Sequence, residues 1–207
     1  MKNLIMGIAM TLLLALFLSF QTDIQGMQVQ GVRLKQTANE AARAAALQND
    51  LNSFIEGLIT FTDDGAFVGD QVVKANLSMT AEGVSGDKYY KDKPIDSYII
   101  MFNQAFTAEE MEILRDVYEI PENVLLKLGK YTVYKNGAKI ADNMPFNLGD
   151  RAAVHVNNYI TLPRDFDPVI QYPSVVCVID TGEPNFKNKI FSEGATLRKA
   201  GIYEYVW

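Results

Sequence analysis

The chain has 207 residues, is 48% hydrophobic, and carries a net charge of −6 with a sequence pI near 4.9. That length suffices for one membrane anchor plus one medium domain with its own core, and an acidic balance repels nucleic acid, so no nucleic-acid partner is expected. A single cysteine, Cys177, and a single histidine, His155, exclude an intrachain disulfide and a cysteine-based zinc site, and leave one residue for any Ser-His-Asp chemistry.

Leu4 to Phe20, LIMGIAMTLLLALFLSF, holds no charge and no proline. Its 17 residues make about 25 Å of helix, the short end of a bilayer core. Lys2 precedes it and Asp23 follows it. The positive-inside rule then places the N-terminus in the cytoplasm and the rest of the chain on the far side. A cleaved signal peptide is the rival reading. The apolar run is long for that role, and no small-x-small cleavage pair follows Phe20, so an uncleaved signal-anchor is expected. Leu4, Ile8, Leu12 and Leu16 are its membrane-facing positions.

From Gln21 to about Phe61 the pattern stays helical. Ile24, Met27, Gly31, Leu34, Ala38, Ala41, Ala42, Ala45 and Leu51 recur at steps of three and four. Ala38 to Leu47, ANEAARAAAL, has six alanines in ten residues. Alanine favours helix, and its small side chain lets another element approach closely. Joined to the anchor, this predicts a rod of roughly 55–60 residues, about 85 Å long. An apolar stripe of this kind needs a partner. Two partners fit, and both can hold at once: the chain's own domain and the same helix of neighbouring subunits.

Asp63-Asp64-Gly65 reads as the turn that ends the helix. A short helical piece is placed at Asp70–Ala81, and a polar loop at Glu82–Pro94. Ser97 to Phe106 is apolar, and Thr107-Ala108-Glu109-Glu110 is a capping box opening a helix that Pro121 ends. Leu126–Tyr134, Asn136-Gly137 and Ala138–Ala141 form a hairpin pattern, with Asn-Gly supplying the positive φ of a type I′ turn. Ala153–Leu162 reads as a third strand, Ser174–Ile179 as a central buried one, and Ile202–Trp207 as a closing edge strand. The fold class is α+β: an N-terminal transmembrane helix continuing into a long alanine-rich helix, then a mixed domain with a mainly antiparallel sheet.

Candidate chemistry is sparse. Asp63, Asp64 and Asp70 lack the spacing of a calcium loop. Asp165 and Asp167 lie between Pro163 and Pro168, which suits a rigid loop better than a pair of hydrolytic carboxylates. His155 alternates with Val154 and Val156 and reads as a sheet histidine. Cys177 sits in an apolar strand and reads as a small buried hydrophobe. The pairs Gly65/Gly69 and Gly83/Gly86 lack the strand–helix context of a phosphate loop. Asn76-Leu77-Ser78 matches a glycosylation sequon by a short, common pattern. No catalytic residue, metal site or cofactor is expected.

An apolar N-terminal helix passing into VRLKQTANEAARAAAL, with a mixed domain behind it, resembles the TadE-like minor pilins of tight-adherence pili. Leu34, Ala38, Ala41, Ala42, Arg43, Ala45 and Ala46 match that family's alanine-rich patch. No acidic residue lies between Gly7 and Asp23, which departs from the pattern processed by prepilin peptidases. The resemblance implies a non-enzymatic, membrane-anchored subunit of a bacterial pilus or secretion machine. It would be oligomeric, packing on other pilin-like subunits through its N-terminal helix, with Leu34, Ala38, Ala41, Ala42 and Ala45 as the contacts. The expected organisation is an anchor over 1–22, a stalk helix over 23–62 and an extracytoplasmic domain over 63–207. A membrane-tethered binding or sensor module is the alternative.

Overall fold

Helix α1 (Lys2–Ala46) is one unbroken helix of 45 residues, about 68 Å long. In this computed structural model the described residues are 2–48, 59–77, 79–80, 83–84, 95–182 and 197–205. The helix ends earlier than expected: Leu47 is a turn, Gln48 a bend, and Ile59–Thr62 is not helical. Local hydrogen bonds outcompete helix there. The Asn103 side chain accepts the Phe61 N–H at 2.9 Å, and the Thr62 hydroxyl donates to the Gln48 carbonyl at 2.9 Å. Residues 49–58 of the expected stalk lie outside the described set.

Asp63 and Asp64 begin a helix rather than end one. They occupy the first turn of α2 (Asp63–Asn76), where carboxylates favour the positive end of the helix dipole. The two-residue strands β1 (Met79–Thr80) and β2 (Gly83–Val84) pair with each other, within the region expected as helix end and loop. The rest of the expected loop, through Pro94, lies outside the described residues.

The main sheet has five strands in the order β5-β4-β3-β6-β7, every neighbour antiparallel. They are β3 (Asp96–Gln104), β4 (Leu128–Lys135), β5 (Ala138–Asn147), β6 (Ser174–Asp180) and β7 (Arg198–Glu204). Asn136 and Gly137 both take positive φ, 52° and 80°, as the hairpin turn between β4 and β5 requires. The apolar run at 174–179 is buried on both faces, yet β3 holds the centre of the sheet and β6 lies beside it. Alternation sorts the two faces. Ile99, Met101, Val175, Cys177 and Ile179 face α1 and α2, while Ile100, Phe102, Val176 and Val178 face the opposite layer.

That opposite layer corrects one expectation. Ala153–Leu162 is not a strand: Ala152–Val156 forms a helix, labelled α5 below, and a turn follows. Ala152, Val156 and Ile160 are the buried positions, at the four-residue step of a helix. Asp167 accepts the Ala153 N–H at 3.0 Å, satisfying a donor of the first turn that strand pairing would otherwise have to take. Between β3 and β4 lie α3 (Ala108–Asp116) and α4 (Glu122–Leu125). The expected capping box is present at α3: Thr107 accepts the Glu110 N–H, and Glu110 accepts the Thr107 N–H. The closing edge strand starts at Arg198, earlier than expected, and Val206 and Trp207 lie outside the described residues.

Candidate functional site: the two halves of the N-terminal helix

Helix α1 divides by what it touches. In its first half Leu4, Ile8, Leu12 and Leu16 are 68%, 55%, 61% and 59% exposed. A bare apolar helix in water is unfavourable, at roughly 25 cal/mol per Å² of apolar surface. This half is long and apolar enough to cross a membrane, and none of its most apolar stretch is covered by the protein. Asp23 follows, buried, with neither carboxylate oxygen partnered among the described residues.

The second half is the opposite case. Leu34, Ala38, Ala41, Ala42, Ala45 and Ala46 are all at most 1% exposed. They pack on α2, β6 and β7 of the same chain. Of the two partners the sequence left open for these residues, the structure supplies the chain's own domain. They therefore present no surface to a neighbouring subunit, and the expected stalk is, in this half, part of the domain core. The domain boundary expected at residue 63 cuts through that core.

Small residues on both sides set how closely α1 approaches. A Cβ added at Gly65 would lie 2.6 Å from the Ala45 carbonyl oxygen, and one at Gly69 would lie 3.1 Å from that of Ala41. Gly65 and Gly69, four apart on α2, thus face Ala41 and Ala45, four apart on α1. On the sheet side a Cβ at Gly201 would lie 2.5 Å from the Ala38 carbonyl carbon and the Asn39 nitrogen. The glycine pair is visible in the sequence, but its partner on α1 is not. Polar contacts rim the crossing. Arg33 donates to the Asn76 carbonyl at 2.7 Å, the Asn76 amide donates to Glu40 at 2.6 Å, and Tyr205 donates to the Ala46 carbonyl at 3.1 Å.

Compared with protein-family models, curated proteins and solved structures, the chain matches none.

The titratable residues flagged in the sequence are dispersed into structural pairs. Asp63 accepts from the Tyr134 hydroxyl and pairs with Lys139 at 2.9 Å, whereas Asp70 is buried with Ser97 and Lys74. Among the described residues no group of three potential metal ligands gathers. Asp167 pairs with Arg151 at 3.2 Å, and Asp165 lies 3.7 Å from Lys199. His155 is on α5, not in the sheet. Its Nε2 lies 3.0 Å from Asp150, and its ring packs against Tyr131 and Phe146. Among the described residues no serine hydroxyl is a hydrogen-bond partner of His155. Cys177 is fully buried, and burial pushes its thiol pKa up.

The Asp63 contact gives a pH-dependent prediction. The Tyr134 hydrogen bond, then Lys139, hold the Asp63 carboxyl below its ordinary value. A lowered carboxyl pKa adds stability above the unfolded value, and that stability is lost as pH falls through the folded one. Asp63→Ala also strips an acceptor from the part-buried Tyr134 hydroxyl. Because the Asp63 side chain is largely exposed, the variant is expected to lose only about 0.5 kcal/mol at neutral pH. The gap should narrow below about pH 4. Urea unfolding at several pH values measures both.

Proposed function

We propose that this chain is a single-span, pilin-like structural subunit of a bacterial pilus or secretion machine. Its N-terminus lies in the cytoplasm and its head on the outer side. One observation carries the reading: a bare apolar half-helix runs without a break into a half-helix that is the core of the head. An anchor joined by a linker leaves its head free to tumble. Here the same helix is both membrane span and core element, so the position of the span dictates the position of the head. That rigid coupling suits a subunit whose heads must be held in register, more than a tethered binding module that needs only proximity. The alanine-rich patch shared in style with TadE-like minor pilins supports the same reading, with the patch acting inside the subunit.

The test is cellular. The full-length chain is expected in the membrane fraction, released by detergent but not by high salt or alkali. Protease added outside intact spheroplasts should digest the head and spare a fragment near the N-terminus. A chain recovered from cytosol without detergent, as a monodisperse monomer, refutes the proposal.

A further inference from the structure

The head has two ends that differ in charge. α1 runs alongside β7 in the same direction: Lys35 donates to the Ala200 carbonyl, and further on Ala46 accepts from Tyr205. β7 is antiparallel to β6 and β6 to β3, so β3 also starts near the membrane and ends away from it. Residues 105–127, which hold α3 and α4, leave the far end of β3 and return at the far start of β4.

This far lobe is largely exposed, apart from Leu125, which is buried. Ile113, Val117 and Tyr118 are 48%, 69% and 66% exposed. Glu112, Asp116, Glu119 and Glu122 occupy exposed positions beside them in the chain and outnumber the one cation there, Arg115, which pairs with Asp116 at 2.8 Å. An apolar patch with a carboxylate rim suits protein docking.

The near end carries the complement. A groove of about 710 Å³ lies between α1 and the start of β7, floored by Met27, Gly31, Val32 and Leu197 and edged by Lys35 and Lys199. Lys35 is held in place by the Ala200 carbonyl and lies 4.9 Å from the centre of the Phe166 ring. Asp165 also lines the groove, 3.7 Å from Lys199 and largely exposed, so it offsets one of the two cations. Lipid is a poor occupant. The groove begins at Met27, 7 residues or about 10 Å along the helix beyond Phe20, and its cation Lys35 stands 15 residues or about 22 Å beyond, while the headgroup layer is only about 5–8 Å deep.

We infer that the near groove of one chain receives the α3–α4 lobe of a second copy, Val117 and Tyr118 entering the apolar floor and the lobe carboxylates meeting Lys35 and Lys199. The two surfaces are different and lie at opposite ends of one head, so the contact is head-to-tail. Such contacts propagate into an open filament unless their rotation closes a ring. Groove and lobe are separated by roughly the length of β3, about 30 Å. Two copies at equal depth in one bilayer cannot make the contact; a copy displaced outward by that distance can, and because the shift of about 30 Å exceeds the roughly 25 Å span, its anchor has then left the bilayer. The inference gives the proposed subunit a partner surface and rests on that reading for its biological setting.

The experiment uses the full chain in detergent micelles, where axial displacement is free. Val32 and Val117 are 68% and 69% exposed, and the one native cysteine is buried. Val32→Cys and Val117→Cys are made on separate chains and oxidised alone and mixed. The mixture should give cross-linked dimer about tenfold above either variant alone, and the two changes on one chain should give a ladder. Lys199→Glu and Glu112→Lys should each weaken self-association about tenfold. Mixing those two charge variants should restore it. No excess of cross-link in the mixture overturns the inference, as does equal yield from Val117→Cys alone, which would mean a symmetric contact. Shielding of Val32→Cys by phospholipid bicelles, independent of protein concentration, also overturns it, in favour of lipid. A chain that needs no detergent would refute the anchored reading and leave this cross-linking pattern fully readable.

Discussion

A chain that begins at Asp63 is expected not to fold, while one that begins near Gln25 is expected to fold and to stay in solution without detergent. The shorter chain lacks Leu34, Ala38, Ala41, Ala42, Ala45 and Ala46, each at most 1% exposed. Burial of that leucine and five alanines contributes about 5 kcal/mol or more. Their loss also uncovers Val175, Cys177 and Ile179 on the sheet. The sum is comparable with the whole net stability of an ordinary domain. The longer chain keeps this face and drops the exposed apolar span. Circular dichroism and thermal unfolding distinguish the outcomes. A cooperative transition in the 63–207 chain would show that the second half of α1 is dispensable to the core.

Gly201→Ala is expected to be among the most damaging single-methyl changes in the head, with a loss of about 3 kcal/mol. The added carbon would lie 2.5 Å from backbone atoms of Ala38 and Asn39. Backbone cannot rotate away as a side chain can, so either α1 lifts from β7 or the strand shifts. Either motion disturbs the Lys35–Ala200 and Tyr205–Ala46 hydrogen bonds on each side. Gly65→Ala should behave alike, because its Cβ would meet the Ala45 carbonyl oxygen at 2.6 Å. The control is Gly149→Ala, whose positive φ of 104° strains the backbone while its Cβ meets nothing within 4 Å. It should cost about 1 kcal/mol. Denaturant midpoints of the three variants rank the effects. A Gly201→Ala chain as stable as the wild type would mean that α1 and β7 are less closely apposed than described.

The hairpin and the capping box were legible because each is dictated within a few residues. Asn136-Gly137 takes the φ values that only such residues accept cheaply, and Thr107 and Glu110 satisfy each other's backbone across one turn. The start of α2 and the helical turn at Ala152 are not legible in the sequence, for a shared reason. Asp63-Asp64-Gly65 suits a turn or a first helical turn equally well, and a five-residue apolar stretch fits strand or helix until its neighbours are known. Phe61 and Asn103, 42 residues apart, settle the first by one hydrogen bond. Asp167, 14 residues on, settles the second by accepting the Ala153 N–H.

The sequence alone determined that this chain carries a helix able to span a membrane and that an alanine stripe follows it. Both follow from side-chain size and polarity read along one helix, without reference to any distant residue. Tertiary structure alone decided what the stripe touches. Alanine permits close approach without naming the partner. The partners are glycines at 65, 69 and 201, which reach Ala38–Ala45 only once five strands have paired and laid β6 and β7 beneath the helix.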